Sequence, residues 1–186
     1  MKNVGIDKPF ELESIYLEYE KATLPGMGIV YGTACARATG AIGTNFPAWG
    51  FLFDMTAEEG NWWPFCLPRN FLKQHQVKVK VYWMAVAAVA GGVVWGVKLL
   101  GRKEGEVWDA PLGAEVMAAG TVQDVAGELT VTEITIPAAT HLLEEKDTVM
   151  LQLARKVGED DDDLAEDAKV VMVDFEFARD PNILVA

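Results

Sequence analysis

Few residues in this chain are of types that do chemistry, and their spacing decides what they can do. The two histidines, His75 and His141, stand far from any nucleophile pattern. No GxSxG elbow, HExxH pair or phosphate-cradling glycine loop occurs. A general base needs a positioned partner within hydrogen-bond reach, and the sequence supplies neither ring with one. Asp160-Asp161-Asp162-Asp163 is a dense carboxylate run. Oxygen-rich loops hold calcium, but this run lacks the alternating ligands and the bidentate glutamate of an EF-hand. Adjacent carboxylates repel one another, so a solvated loop is expected. Cys35 and Cys66 are too few for a disulfide framework or a four-ligand zinc site. Buried thiols are the default, with a single bridge as the alternative. No catalytic residue, cofactor or metal ligand is assigned.

Trp62 and Trp63 are adjacent, so in a strand they point to opposite faces. One fills the core while the other meets solvent, a sugar ring or another subunit. Core packing for both is the plainer reading.

The elements that position these residues centre on Val77 to Leu100, VKVKVYWMAVAAVAGGVVWGVKLL. Val77, Val79, Val81 and Trp83 alternate with Lys78, Lys80 and Tyr82, and Val93, Trp95, Val97 and Leu99 share a second face. Gly91-Gly92 between them suits a turn, and a central β-hairpin is expected. The rival is a membrane span, since no charge occurs from Val81 to Val97. Strand alternation at both ends, interior glycines and the lack of a basic flank favour the hairpin.

Elsewhere the pattern is of strands. Phe51 and Phe53 alternate with their neighbours, as do Trp63, Phe65 and Leu67. Pro64 cannot donate a ladder hydrogen bond, which places its strand at an edge or a bulge. Leu129 and Val131 are out of phase with Ile134 and Ile136, which predicts a bulge or corner near Thr132-Glu133. Val149, Leu151 and Leu153 give another strand. In the last strand, Val171, Val173, Phe175 and Phe177 should face inward, with Asp174 and Glu176 outward. Before Phe46 the chain differs. Residues near Tyr16 and Tyr19 fit helix and strand equally, and Leu24 to Thr44 is rich in glycine, alanine and threonine. The expected fold is all-β, a jelly-roll-like β-sandwich over 46–186, with an extended N-terminal arm over 1–45.

Composition bounds the function. A hydrophobic share of 51%, with six tryptophans and eight phenylalanines, is ample for a two-sheet core. A net charge of −12 argues against a nucleic-acid partner, because phosphate binding needs clustered cations. The first residues, MKNVGIDKPFELES, carry no apolar signal core, and no membrane partner is expected.

From about Phe53 onward the chain resembles a domain of virion structural proteins in tailed bacteriophages. The matching pieces are Phe53-Asp54-Met55-Thr56-Ala57-Glu58-Glu59, Leu67-Pro68, Val81-Tyr82-Trp83 and Val93-Val94-Trp95-Gly96. Asp163-Leu164-Ala165-Glu166-Asp167-Ala168 closes the series, ahead of the final strand. The segment before Phe46 departs from that pattern. The resemblance implies a jelly roll on the outside of a virion, as a capsid decoration protein or part of a fibre. It implies a capsid decoration or cement protein that is not an enzyme, present on the capsid exterior and in host cytoplasm during assembly. Its partners would be the major capsid protein or other virion proteins, and its own copies as a homo-oligomer, a trimer before other states. The alternatives are a tail or neck fibre component and a carbohydrate-binding module.

The candidate interface residues are Ala85, Val86 and Val89 at the expected hairpin tip, together with Tyr16, Tyr19 and Trp62. The tip lacks polar side chains, and exposing it to water is costly. It should meet other subunits or the capsid surface, or else fold back over its own sheet.

Overall fold

In the computed structural model, residues 18–25, 36–42 and 46–180 are described. The strands are β1 (Glu18–Pro25), β2 (Ala36–Ile42), β3 (Phe46–Phe53), β4 (Gly60–Cys66) and β5 (Val77–Ala85). They continue with β6 (Gly91–Arg102), β7 (Val116–Val122), β8 (Thr130–Ile136), β9 (Thr148–Arg155) and β10 (Ala168–Arg179). One four-residue helix, α1 (Ala138–His141), precedes β9.

The strands form two antiparallel sheets. One runs β2-β3-β10-β5-β8, and the other runs β4-β9-β6-β7. Because β5 takes one edge of β10, β3 and β1 share the other, at residues 168–170 and 172–179 respectively. From β3 on, every connection crosses between sheets except that from β6 to β7. The order β3-β10-β5-β8 facing β4-β9-β6-β7 is that of a jelly roll, as expected from the strand spacing. The described parts of the segment before Phe46 are β1 and β2, both added to the first sheet.

The core fills the space between the sheets. Phe51, Phe53, Val79, Val81, Trp83, Ile134 and Phe175 meet Trp63, Trp95, Val97, Leu151 and Leu153. Aromatic pairs bridge the layers edge to face: Trp83 to Trp95 at 5.8 Å, Phe53 to Trp95 at 5.1 Å and Phe51 to Trp63 at 5.9 Å. Each such pair adds about 0.5–1.5 kcal/mol beyond the area it buries.

Three expectations are corrected. β5 and β6 are strands but not a hairpin: β5 pairs with β10 and β8, β6 with β9 and β7. Two strands that face each other across a core alternate just as two paired strands do, so periodicity alone cannot tell them apart. Gly91 and Gly92 lie within β6 and serve close approach, not a turn. A Cβ on Gly91 would stand 2.7 Å from the Leu164 backbone, and one on Gly92 would strike the carbonyl of Asp161.

The second correction is in β8, whose register with β5 is unbroken from Trp83↔Thr130 to Val77↔Ile136. Leu129 and Val131 are exposed, and Thr132 takes the inward slot. Its Oγ1 accepts the buried Trp83 Nε1–H at 2.9 Å, which removes the cost of burying both groups. The irregularity is instead in β10, between Val170 and Met172 against β5. It puts Val170 rather than Val171 in the core, while Val173, Phe175 and Phe177 are inward as expected. Asp174, expected outward, is buried in mid-sheet, in register with Thr23 on one side and Lys80 on the other.

The third concerns the acidic run. Arg155, at the end of β9, is wholly buried, and its Nη2 lies 2.7 Å from Asp162 Oδ1. The guanidinium also donates to the carbonyls of Leu164 at 2.9 Å and Glu166 at 2.8 Å, with Phe53 O at 3.5 Å. Asp162 Oδ2 accepts the Val94 amide, and Asp163 Oδ1 accepts the Gly92 amide. Asp160 and Asp161 are exposed, as a solvated loop requires, whereas Asp162 is a structural ligand for a buried cation.

Removing one partner of a buried pair leaves the other uncompensated. Asp162→Ala should therefore cost about 3–5 kcal/mol in urea unfolding. Asp160→Ala, on the exposed side, should stay within about 0.5 kcal/mol. Equal effects of the two substitutions would contradict this assignment.

Candidate functional site

The second sheet buries one face and leaves the other to solvent. In β4, Asn61 and Trp63 point inward, so Trp62 and Pro64 point out. In β9, inward Val149, Leu151 and Leu153 leave Met150 and Gln152 outside, and in β6 inward Val97 and Leu99 leave Lys98 and Leu100. Register sets Pro64, Met150 and Leu100 side by side, with Trp62 and Gln152 one step along. Pro64 is tolerated because β4 is an edge strand, as its missing N–H required.

The chain after β6 completes the site. Lys103 and Glu106 close a turn through their backbones and the Glu106 carboxylate, with Gly105 at φ 89°. The Gly113 amide then donates to Leu99 O at 2.9 Å, tying the loop back to β6. Between these anchors, Trp108 to Leu112 pass over the outer face. The result is a groove of about 410 Å³ lined by Trp62, Leu100, Trp108, Asp109, Ala110, Leu112 and Met150. Trp108 is half exposed and Trp62 half buried. Of the lining side chains only Asp109 ionises, so the groove can hold a ligand but offers no acid–base pair.

Trp62 and Trp63 do point to opposite faces, and only Trp63 enters the core. Trp108, Leu100 and Met150 were not singled out from sequence. An exposed indole in an otherwise charged loop was the one available sign.

Ala85 is buried within the chain's own core, Val89 packs partly against it, and Val86 is 48% exposed. The connection from Val86 to Ala90 is held by Val86 N donating to Asp167 O and by Gly127 N donating to Ala85 O. Val125 and Leu129 are exposed on the neighbouring connection. Tyr19 lies in β1, in register with Ala178, while Tyr16 and Cys35 lie outside the described residues. Cys66 is a free, exposed thiol rather than a buried one, because at the end of β4 it shares the outward parity of Trp62 and Pro64.

The two histidines meet, but structurally. His141 is buried; its Nε2 donates to His75 O at 3.0 Å and its Nδ1 accepts the Leu143 amide at 3.0 Å. Burial holds its pKa below the ordinary value, partly offset by the bond to His75. A separate surface cleft is lined by Lys73, Lys103, Lys146, Glu104, Glu144 and Glu145. There Lys103 and then Lys73 hold the Glu144 carboxyl below its usual range. Among the described residues, no three His, Cys, Asp or Glu side chains gather as metal ligands. No helix among them is long and apolar enough to cross a membrane.

No family model and no curated protein matches this chain. Among solved structures it is similar to the CBM36-1 domain of a multidomain xylanase from the hindgut metagenome of Trinervitermes trinervoides. That match has 10% identity and a TM-score of 0.40, covering 84% of this chain and 96% of that one. It is also similar to dimeric latent PorU from Porphyromonas gingivalis, with 12% identity and a TM-score of 0.41. There the match covers 88% of this chain but 13% of that one.

The state of His141 leads to a pH prediction. A histidine whose pKa is lowered on folding stays neutral in the native state while the unfolded chain takes up a proton near pH 6.5. Its stabilising contribution is full above that pH and is lost as pH falls toward the folded pKa. Burial pushes Asp147 and Glu59 up, which gives them the opposite sign at lower pH. Between pH 7 and 5.5, chemical unfolding should show stability falling less steeply in His141→Gln than in the parent.

The connection after β5 gives another. Val89→Asp should destabilise the isolated protein by about 1–3 kcal/mol, since it puts a charge against the core. Val86→Asp should leave unfolding within about 0.5 kcal/mol. Thermal melts of the two variants side by side decide whether this connection is split between core and surface.

Proposed function

We propose that this chain is a non-enzymatic structural protein of a bacteriophage particle, decorating and stabilising the capsid shell by adhesion. The observation that supports this reading is where the resembling pieces fall. They are far apart in sequence, yet four of the five come together at one end of the jelly roll, while Leu67-Pro68 lies at the other, where the Leu67 amide donates to Asp147 O. The Met55 amide donates to Asp167 Oδ1 at 3.2 Å, joining the first piece to the last. The Val94 amide, in the fourth piece, donates to Asp162 beside the last. Trp83 and Trp95, from the third and fourth, meet in the core. Contacts among these separate motifs make them parts of one folding unit, and the reading takes that unit as the shared domain.

The function then resides in surfaces, not in a reaction. A capsid surface presents the same contact many times, so a modest interface multiplied over a homo-oligomer, a trimer in this reading, gives avidity. The partners are the major capsid protein or other virion proteins. Attachment is assigned to the segment before Phe46, which departs from the shared pattern. Strands β3 to β10 complete a jelly roll without it. A fibre component at the tail or neck is the second placement, differing in where on the particle the domain sits.

Deleting residues 1–45 tests the attachment role. The truncated chain should melt cooperatively and keep its β signal by circular dichroism, yet sediment with parent particles more weakly than the full chain. A truncated chain that fails to fold would make the segment part of the core. Undiminished binding would place attachment elsewhere.

A further inference from the structure

We propose that the groove on the outer face of the second sheet binds a neutral saccharide. The inference stands on the groove itself and goes beyond the virion reading, which needs no ligand. Its floor is apolar, from Met150 and Leu100, and two indoles, Trp62 and Trp108, border it. A sugar ring carries a face of C–H hydrogens whose weak positive polarity suits the negative face of an indole. The same ring carries hydroxyls around its rim, which need donors and acceptors beside the aromatic surface.

The groove supplies both. None of the side chains of Trp62, Trp108 and Asp109 makes a hydrogen bond, ion pair or ring contact with another described residue. Two indole N–H donors and a carboxylate acceptor are thus uncommitted beside the apolar floor. A purely apolar protein segment would strip water from those groups without replacing it, which is unfavourable. A hydroxylated ring replaces the water.

Charge sets the class of sugar. The lining holds a carboxylate and no cation, in a chain of net charge −12. Uronate, sulfated and phosphate-bearing polymers are repelled, so the ligand is uncharged. A volume of about 410 Å³ falls within the range of about 300–1,000 Å³ typical of small-molecule sites. The groove is an open one, suited to a segment of a longer glycan rather than to an enclosed monosaccharide.

The test uses the full chain and affinity electrophoresis in gels containing one polymer each. The probes are hydroxyethyl cellulose, galactomannan, laminarin, dextran and glycol chitin as neutral or weakly charged polymers, with polygalacturonate as the acidic control. At least one neutral polymer should retard the protein and quench tryptophan fluorescence. Trp108→Ala should weaken that binding at least about tenfold, equivalent to about 1.4 kcal/mol. Its melting temperature should stay that of the parent, because Trp108 is half exposed. Trp62→Ala should act likewise, and Asp109→Asn should weaken binding with the groove shape kept. The proposal is overturned if no neutral polymer binds, if only polygalacturonate binds, or if binding survives both tryptophan substitutions. It is also overturned if Trp108→Ala abolishes self-association or particle binding in the absence of sugar, since the groove would then hold protein. Unaltered particle binding by a variant that has lost sugar binding separates this result from the fate of the virion reading.

Discussion

A buried guanidinium organises one end of this sandwich. Arg155 lies where β9 ends, with no exposure, and spreads its donors over Asp162, Leu164, Glu166 and Phe53. Such a cation is unfavourable in the interior unless each donor is met, and here the chain has wrapped its own carbonyls around it. The wrapping draws in the end of β3 and the whole connection from β9 to β10, while Asp162 and Asp163 hold the start of β6. The loop can follow that path only because Gly91 and Gly92 have no side chains to block it. Replacing such a pair with well-fitted apolar groups is often neutral or stabilising, so the pair is better read as fixing one arrangement of the corners than as a large source of stability.

That constraint also marks where sequence reasoning succeeded and where it stopped. Alternation at Val77 to Trp83 and at Val93 to Leu99 located two strands correctly, because a buried face imposes period two whatever the partner. Partnership is set elsewhere, by corners such as the one around Arg155. The choice between a hairpin and a crossing between sheets was therefore not legible in those strands. Pro64 was more informative, since a missing donor excludes a central strand outright. Thr132 misled for the opposite reason. A threonine looks outward by polarity, yet it is the group that satisfies the Trp83 indole in the core. Asp162 was hidden among three neighbours of the same type, and only the position of Arg155 distinguishes it.

The groove was half legible. Adjacent Trp62 and Trp63 had to separate across the sheet, so one large aromatic had to be outside. Leu100 and Met150 carry no such sign, because an apolar residue in an outward slot looks like one more core residue. Trp108 lies in a connection without periodicity, and its approach to the sheet depends on the turn at Gly105 and the bond from Gly113 to Leu99. A site assembled from edge strand, sheet face and loop leaves no spacing in the sequence to find.

The two outer faces differ in what they offer a partner. On the first sheet, Lys78, Glu133, Lys80 and Glu176 form a continuous ladder of ion pairs at 2.6–3.7 Å. Glu176 raises the Lys80 pKa, and Lys78 lowers that of Glu133, as mutual pairing requires. Pairs so open to water add little stability. They nevertheless make the face a poor contact surface, because a partner would have to desolvate charges that are already matched to one another. The second sheet carries the opposite composition at its groove, where the floor is apolar and the polar groups are two indole N–H donors and one carboxylate. The two faces therefore suit different contacts: the first sheet's is closed by charges matched to one another, and the second's offers an apolar groove bordered by two indoles and one carboxylate.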